Sequence, residues 1–405
     1  MARSGLILDD PRAVGIDPSA LDALYARIEK AVGRHDGCAA QVALARGGRV
    51  AAFRAFGSAR FAGERRAAER SSLFAVFSVT KAFVSSAAWI LLADGTLGLG
   101  DRVVDHIPEF GRNGKRAVRV EHLLTHTAGL PNAHLLPGEW LSEERRLARF
   151  GDWELEWEPG SRFTYHGSST MWVLAQLITQ LTGTDYRDFV RTRIFEPLGL
   201  TDLFIGLPEE QHGRVAEVVA VGEPMPQDQR AIASVDAPTL TDEMVTWVNG
   251  SEARRIGSPG GGGIGTAADV ALFYQGVLAC LASAGGGPWE PASVADACTP
   301  RNVDFVDPMT NSPALRGLGL VVAGGDDRIW RGFAPNNSAR AIGHMGAGGQ
   351  VAWGDPGTGI SFAFVTNGAE RNAARQGANG IRLSNLAAAA LSSSGSSAPD
   401  DGVGP

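Results

Sequence analysis

Ser78 and Lys81 are the two residues of this chain whose types and spacing most clearly indicate chemistry. They stand three positions apart at the start of a predicted helix, which continues as an apolar run over residues 82–93. Residues at this spacing lie on the same helical face, so the Ser78 hydroxyl can contact the Lys81 amine. Unpaired N–H groups at a helix start favour a developing oxyanion and disfavour a second positive charge. A neutral amine beside a serine makes that serine an activated nucleophile.

The scarcity of lysine strengthens this interpretation. The chain contains 37 Lys and Arg residues, of which only Lys30, Lys81 and Lys115 are lysines. Arginine cannot release its proton in a protein, whereas lysine can. The alternative is that Lys81 is an ordinary first-turn residue whose spacing from Ser78 is accidental, so partners for the pair are needed elsewhere in the chain.

The composition of the chain limits the classes of protein to which it can belong. A length of 405 residues allows one large domain or two closely joined ones. The 44% hydrophobic and 20% charged residues are typical of a soluble globular protein. The net charge of -7 provides no basic surface for nucleic acid and no reason to expect a membrane partner.

The cysteines and the N-terminal residues favour a cytoplasmic location. Cys38, Cys280 and Cys298 are far apart and odd in number, which predicts free thiols in a reducing compartment. The N-terminus lacks the apolar region of a signal peptide, and the apolar run over 82–93 is too short to span a bilayer.

Hydrophobic periodicity predicts strands towards both ends of the chain and helices between them. The signal Gly47-Gly48 joins the first two strands in a hairpin. The predicted helices cover residues 21–32, 78–93, 120–124, 143–150, 168–181, 186–194, 266–282 and 377–391. The predicted strands cover residues 41–46, 49–56, 317–323, 341–345, 350–353 and 360–365. Two stretches, 206–240 and 285–313, are predicted to be irregular.

This order of elements favours one antiparallel sheet built from both ends of the chain, with a helical region inserted between. We therefore predict a sheet domain formed by residues 1–75 and 255–391. Residues 76–254 form a mostly helical domain in this prediction, with the Ser78 helix at the junction. The Ser/Gly/Pro/Asp-rich residues 392–405 are predicted to be a disordered tail.

Two segments could supply partners for Ser78. Tyr165 precedes the helix at 168, and its hydroxyl can relay protons if cations lie nearby; alternatively, it is a half-buried tyrosine hydrogen-bonded at a helix start. His344-Met345-Gly346 ends a strand, and the glycines that follow allow close approach of the backbone to a ligand. An exposed N–H group there could complete an oxyanion hole with that of Ser78. The alternative is a glycine hairpin with a solvent-facing histidine.

Together, Ser78-Val79-Thr80-Lys81, Tyr165 and His344-Met345-Gly346 resemble the serine β-lactamase and penicillin-binding-protein superfamily in their order and separations. The resemblance extends from about residue 15 to 390 and is closest to family VIII carboxylesterases and related class C β-lactamase-like hydrolases. Four further stretches support it: 123–130, 158–160, 260–263 and 361–367.

The resemblance implies an α/β (α+β) fold of the β-lactamase type, with an antiparallel sheet flanked by helices and an inserted, mostly helical region. It implies that Ser78 is acylated and that Lys81 and Tyr165 form the base pair. The backbone N–H groups of Ser78 and Ala347 would form the oxyanion hole. No metal or organic cofactor is needed for this chemistry.

His344, Gly346 and Trp353 are the residues that we expect to contact the substrate. Trp353 is included because it follows the His344 turn and could wall an apolar acyl pocket. The chain differs from β-lactamases at Gly167, which replaces an asparagine that would bind a substrate amide. It differs again at His344, which replaces a lysine that would attract a substrate carboxylate. A histidine that is mostly neutral suits an uncharged ester better.

Other motifs do not indicate chemistry. His122, His126 and His166 are spaced too irregularly for a metal site. The Gly-x-Gly-x-x-Gly match at 260–265 has no preceding strand and is interpreted as a loop rather than a dinucleotide site. No Gly-x-Ser-x-Gly motif occurs, which argues against an α/β-hydrolase.

The sequence therefore predicts a serine hydrolase of the carboxylesterase type, which cleaves small esters through an acyl-enzyme on Ser78. An amidase, a β-lactamase or a D-amino-acid peptidase is an alternative, as is an acyltransferase on the same fold. A catalytically inactive binding protein is the alternative outside the enzymes. The sequence leaves open the substrate, the oligomeric state, and whether Lys81 or Tyr165 is the first base.

Overall fold

The computed structural model describes residues 6–136, 138–225, 240–283 and 287–391, so the predicted tail at 392–405 lies outside the described residues. The strands are β1 (Ala39–Arg46), β2 (Arg49–Phe61), β3 (Glu64–Ala67), β4 (Phe74–Ala75), β5 (Leu203–Ile205), β6 (Val219–Val221), β7 (Gly263–Gly265), β8 (Val306–Asp307), β9 (Ser312–Pro313), β10 (Val321–Val322), β11 (Ile342–Met345), β12 (Val351–Asp355), β13 (Ile360–Thr366) and β14 (Gly368–Glu370).

The α-helices are α1 (Pro18–Val32), α2 (Thr80–Ala93), α3 (Val103–His106), α4 (Val120–Leu124), α5 (Glu143–Asp152), α6 (Ser169–Thr182), α7 (Tyr186–Val190), α8 (Asp242–Asn249), α9 (Ser251–Ile256), α10 (Ala267–Leu281), α11 (Pro291–Ala297) and α12 (Ala373–Ala388). Within the described ranges, no helix combines the length and apolar character needed to cross a bilayer.

A seven-stranded sheet in the order β10-β11-β12-β13-β1-β2-β3 is the centre of the fold. Strand β1 lies inside the sheet and pairs antiparallel with β2 on one side and with β13 on the other, so that Ala43 faces Phe53 and Ala363. Gly47 and Gly48 have φ values of 61° and 74°, which favour glycine in the β1–β2 turn. The predicted sheet built from both ends of the chain is confirmed.

Alternating side chains of β1 face two separate cores. On one face, Val42 and Leu44 pack in a cluster with α1 and α12, which includes Leu24 and Leu383. On the other face, Ala43 belongs to a larger cluster that includes α2, α6 and α10. The sheet thus lies between a layer formed by the two terminal helices and a larger helical layer.

Helix α2 is buried along most of its length because apolar residues occupy all of its faces. Its Phe83 ring makes edge contacts with Phe195 at 5.7 Å and with Phe273 at 4.7 Å between ring centroids. Trp89 donates from Nε1 to the Leu318 carbonyl at 3.0 Å. A helix held on all sides in this way provides a rigid support for the residues at its start.

The structure differs from the predicted elements in the two irregular stretches. Residues 285–313 contain α11, which begins with Pro291 at its first position, where the missing N–H costs no helical hydrogen bond. Residues 206–240 contain β6, which pairs in parallel with β14. Both elements are too short for a periodic pattern to reveal. The predicted domain limits stay a prediction.

Candidate active site

Ser78 lies in a 3₁₀ turn, Phe77–Val79, that leads directly into α2. The turn begins at Phe77, whose φ of 46° is unusual for a residue with a side chain. Thr80 fixes the turn, because its hydroxyl donates to the Phe77 carbonyl at 2.5 Å and accepts from Gly263 N at 2.8 Å. Ser78 therefore stands at the predicted helix start, on backbone that is tied to β7.

Lys81 is only 1% exposed, and its amine is held by three oxygen atoms. Nζ lies 3.3 Å from Ser78 Oγ and 2.7 Å from each of the Gly167 and Gly260 carbonyls. The two carbonyls can only accept, so two N–H groups are committed to them. In a neutral amine the third position is a lone pair that can accept the Ser78 proton. The predicted contact between Ser78 and Lys81 is present.

The glycine run at 260–263 has a positioning role that the sequence did not reveal. A Cβ atom on Gly260 would stand 2.9 Å from the Gly167 carbonyl oxygen and 3.5 Å from Lys81 Nζ. A side chain there would push apart the two backbone segments that hold the amine. Residues 260 and 261 lie in a turn, whereas 263–265, which were also predicted to be a loop, form β7. The glycines let the backbone reach Lys81.

Tyr165 lies beside the pair, with its ring near both the Lys81 amine and the Arg316 guanidinium. Lys81 Nζ is 5.0 Å from the ring centroid and Arg316 Cζ is 5.6 Å from it. The His126 and His344 rings lie 4.8 Å and 6.1 Å away. The structure therefore brings together the three residues predicted to be catalytic.

His126 and His166 hold the segment that carries Tyr165. His166 Nδ1 lies 2.6 Å from the Thr164 carbonyl, and its Nε2 accepts from Leu130 N at 2.8 Å. The backbone N–H of His166 donates to His126 Nδ1 at 3.2 Å. Burial lowers the pKa of His166 to about 4, so the ring is neutral at pH 7. These contacts explain why both histidines lie close to the site.

His344 is 4% exposed, so the alternative of a solvent-facing histidine is wrong. Its Nδ1 lies 2.8 Å from the Met345 carbonyl, which can only accept, so Nδ1 carries the proton. Burial lowers the pKa of His344 well below its ordinary value, and the positive charges of Lys81 and Arg316 lower it further. Its buried Nε2 has no hydrogen-bond partner among the described residues. His344 thus presents a neutral ring with a free acceptor.

The turn after β11 packs against the residues that precede Ser78. Gly346 N donates to the Gln350 carbonyl at 2.9 Å, and Gly349 N donates to the Gly346 carbonyl at 3.1 Å. A Cβ atom on Gly348 would stand 2.9 Å from the Phe77 ring. Within the described residues the Ala347 N–H donates to no acceptor, and Ala347 packs in a cluster with Phe77. The turn therefore leaves the Ala347 N–H unpaired in the described part of the chain, in a residue that packs near the one preceding Ser78.

Trp353 does not reach the site, and its predicted role as a pocket wall is wrong. It pairs with Gly343 across β11 and β12, whereas Ala352 pairs with His344. Neighbouring residues of a strand point to opposite faces, so the Trp353 side chain leaves the sheet on the face away from His344. Its Nε1 donates to Ser384 Oγ on α12 at 3.1 Å, and the side chain is completely buried.

Arg316 is a residue of the site that sequence reasoning missed. Its Cζ lies 5.4 Å from the Phe163 ring centroid, close to Tyr165, and its Nη2 lies 3.4 Å from Asp307 Oδ2. It follows a stretch predicted to be irregular, and no local pattern separates it from the many other arginines.

No group of three or more His, Cys, Asp or Glu within the described ranges is arranged to hold a metal.

A helix-covered antiparallel sheet, with a Ser-x-x-Lys pair where a buried helix begins, defines a hydrolase of the β-lactamase fold. The chain belongs to the Beta-lactamase family, whose model matches residues 25–387. The predicted membership and fold class are confirmed.

Three comparisons show the range of proteins to which the chain is similar. Esterase EstB from Burkholderia gladioli is 29% identical over 388 residues, which cover 88% of this chain and 93% of the esterase. A penicillin-binding-protein homologue from Caulobacter crescentus has 27% identity and a TM-score of 0.75, covering 93% of this chain and 99% of its own. A family VIII carboxylesterase structure, at 22% identity, has a TM-score of 0.72 over 90% of this chain and 95% of its own.

Proposed function

We propose that this protein is a carboxylesterase that hydrolyses small esters through an acyl-enzyme on Ser78. The observation that carries the proposal is the position of Lys81, whose buried amine is held by two carbonyls with its remaining position towards Ser78 Oγ at 3.3 Å. Such an arrangement holds a base in hydrogen-bond reach of a nucleophile. The similarity to an esterase over most of both chains supports it.

The first half of the reaction acylates the serine. The Ser78 O–H bond breaks, its proton passes to Lys81 or Tyr165, and Oγ bonds to the ester carbonyl carbon. The carbonyl oxygen becomes an oxyanion that accepts hydrogen bonds from the N–H groups of Ser78 and Ala347. The bond to the alkoxy oxygen then breaks, and the alcohol leaves with a proton delivered through Tyr165.

The second half restores the enzyme. Water adds to the acyl carbonyl carbon, giving its proton to the same base, and a second oxyanion forms in the same hole. The bond from Ser78 Oγ to the acyl carbon breaks, Oγ recovers a proton, and the carboxylic acid leaves. Lys81 Nζ lies 5.0 Å from the centroid of the Tyr165 ring, and either residue can be the first base.

Two features of the site favour an ester over an amide or a lactam. A Cβ atom on Gly167 would meet no atom within 4 Å, so the space that an asparagine would occupy is open. The neutral His344 carries no charge to attract a substrate carboxylate, because burial lowers its pKa well below its ordinary value. An uncharged ester requires neither an amide-binding side chain nor a cation.

Arg316 favours the second candidate, which is the hydrolysis of an amide or lactam that bears a carboxylate. Its guanidinium is a permanent positive charge next to Tyr165, with Cζ 5.6 Å from the ring centroid. The nearby Asp307 carboxylate, 3.4 Å from Arg316 Nη2, offsets much of that charge, and both side chains are largely buried. An incoming carboxylate would therefore compete with Asp307, which favours the ester.

A panel of short p-nitrophenyl esters, p-nitroanilides and a chromogenic cephalosporin tests the proposal, with Ser78→Ala as the control. We expect ester turnover to exceed amide and lactam turnover by at least a hundredfold, and Ser78→Ala to abolish it. Cephalosporin turnover at a comparable rate would favour the second candidate. Ester turnover that survives in Ser78→Ala would refute the acyl-enzyme.

A further inference from the structure

A cavity lies next to the glycine turn that follows His344, between the terminal helices α1 and α12. It has a volume of about 430 Å³, within the range of small-molecule binding pockets. Gly348 and Gly349 of that turn are among its lining residues. Ser78, Lys81 and Tyr165 are not among its lining residues, so this cavity is separate from the candidate active site.

Positive charge without a counter-ion is the distinctive property of this cavity. Arg27, Arg34 and Arg382 line it, and within the described residues none of them has a carboxylate within ion-pair distance. Burial lowers the pKa of Arg27, and the charges of Arg34 and Arg382 lower it further. The three arginines therefore repel one another, in a chain whose net charge is -7.

Arg27 spans the cavity in a way that leaves one donor unused. Its Nη2 donates to Asn379 Oδ1 on α12 at 2.8 Å, which fixes the side chain between the two helices. Its Nε is buried and has no partner among the described residues. Because Nε is buried, the groups that Arg27 can offer to a ligand in the cavity are the N–H groups of Nη1 and Nη2.

The only carboxylate that lines the cavity in the described part of the chain does not neutralise these arginines. Glu370 pairs with a fourth lining arginine, Arg375, at 3.1 Å and accepts from Asn372 N at 3.0 Å. His35 also lines the cavity and adds a further nitrogen donor or acceptor. The unpaired charge belongs to the cluster of Arg27, Arg34 and Arg382.

The inner wall of the cavity is apolar. Val32, Cys38 and Phe364 line it, with exposed fractions of 8%, 6% and 3%. Burial raises the pKa of the Cys38 thiol to about 11, so it is uncharged at neutral pH. A ligand that fits both parts of the cavity has an anionic head towards the arginines and a short apolar body towards this wall.

We propose that the cavity between α1 and α12 binds a phosphate monoester with a short apolar body. A phosphate monoester carries between one and two negative charges at pH 7 and three acceptor oxygens. The guanidinium fork of arginine matches these oxygens bidentately. Three uncompensated arginines favour such a head over a carboxylate with a single charge. The site is independent of the proposed esterase activity.

Octyl phosphate is the probe that tests this site, with calorimetry at fixed salt as the measurement. We expect it to bind the wild type and Ser78→Ala equally, which separates the cavity from the active site. The double variant Arg27→Gln/Arg382→Gln should bind at least tenfold more weakly. Three compounds should bind more weakly than octyl phosphate: inorganic phosphate, octanol and octanoate. Inorganic phosphate lacks the apolar body, octanol lacks the anionic head, and octanoate has a carboxylate in place of the phosphate.

Arg49→Gln/Arg193→Gln is the matched control, because it removes the same charge from two exposed arginines that do not line the cavity. This control should bind octyl phosphate within twofold of the wild type. Arg27→Lys/Arg382→Lys keeps the charge without the guanidinium fork and should bind with intermediate affinity. Circular dichroism establishes that each variant is folded.

Three results would overturn the proposal. One is the absence of octyl phosphate binding to the folded wild type. Another is an equal loss in the control variant, which would indicate a general charge effect. The third is arginine-dependent co-sedimentation with vesicles containing phosphatidic acid, which would assign the site to a lipid headgroup rather than a soluble ester.

Discussion

Lys81 and Lys115 lie in two different regions of the molecule, yet their surroundings are similar. Both are buried, with exposed fractions of 1% and 0%. Each amine is close to an aromatic ring, at 5.0 Å from the Tyr165 centroid and 5.7 Å from that of Phe110. Each donates to two backbone carbonyls, which for Lys115 belong to Gly151 and Trp153.

The difference between them is the third neighbour of the amine. Lys81 Nζ lies 3.3 Å from Ser78 Oγ at the start of α2, whereas Lys115 has no serine or other nucleophile hydrogen-bonded to it in the described residues. Two carbonyls hold a lysine in place in both regions, so burial and fixation alone do not make a base. The comparison teaches that the hydroxyl placed at the remaining position is what gives Lys81 its proposed function.

Removal of the Lys81 amine should produce the largest effect. Lys81→Met keeps an unbranched side chain as long as the aliphatic part of lysine but removes the amine, so kcat for p-nitrophenyl butyrate should fall by about 10⁴-fold, the upper range for a lost general base. Steady-state kinetics measure the change. Lys115→Met is the matched control, and a similar fall in its kcat would show that the two lysines do not differ as argued.

Removal of the Tyr165 hydroxyl should have the next largest effect. Tyr165→Phe keeps the ring between Lys81 and Arg316 and removes only the proton relay, so we expect kcat to fall by about 10²-fold. Leaving groups of increasing acidity should reduce the loss, because they need less protonation as they depart. A loss that is equal for all leaving groups would remove Tyr165 from the proton path to the alcohol.

Gly167→Asn should change the selectivity of the site rather than its rate constant for esters. A Cβ atom at Gly167 would meet nothing within 4 Å, so a side chain can begin at this position without a clash at Cβ. One added hydrogen bond to a substrate amide is worth about 1 kcal/mol, which corresponds to an approximately fivefold gain in kcat/KM for amides relative to esters. An unchanged ratio in a folded variant would show that this position does not face the substrate.

Lys115→Met should affect stability and leave kcat within about twofold of the wild type. Burial lowers the pKa of Lys115 from its ordinary value of 10.5 to about 8. The unfolded chain therefore holds a proton between pH 8 and 10.5 that the folded chain releases, so the contribution of Lys115 to the free energy of unfolding rises with pH across this range. Urea unfolding of both proteins from pH 7.5 to 10.5 measures it. The quantity to compare is the free energy of unfolding of the wild type minus that of Lys115→Met. If this quantity does not become more positive as the pH rises, the assigned direction of the Lys115 pKa shift is contradicted.

Much of the fold and part of the site could be predicted from the sequence, because they depend on local patterns. The Ser78–Lys81 contact follows from helical spacing, and the hairpin between β1 and β2 follows from Gly47-Gly48. The sheet built from both ends follows from the order of elements. In each case the information lies within a few residues of the feature that it determines.

The parts that the sequence did not reveal depend on contacts between distant segments. Trp353 was predicted to line the pocket because it follows the His344 turn. It lies one residue beyond the strand partner of His344, and a shift of one residue along a strand reverses the face of the sheet to which a side chain points. Arg316 reaches Tyr165 only through the tertiary fold. The carbonyl of Gly260 reaches Lys81 from a segment 179 residues away in the chain. A periodic pattern of residues within one segment does not reveal which distant segments that segment contacts.

Labelling with a fluorophosphonate probe, followed by peptide mass spectrometry, tests the central claim most directly. If the Lys81 amine activates the Ser78 hydroxyl, the wild type should carry a single adduct on the peptide that contains Ser78. Lys115→Met should label at the wild-type rate, and Lys81→Met should label at least a hundredfold more slowly. An adduct on another residue, or equal labelling rates in the two lysine variants, would contradict the account.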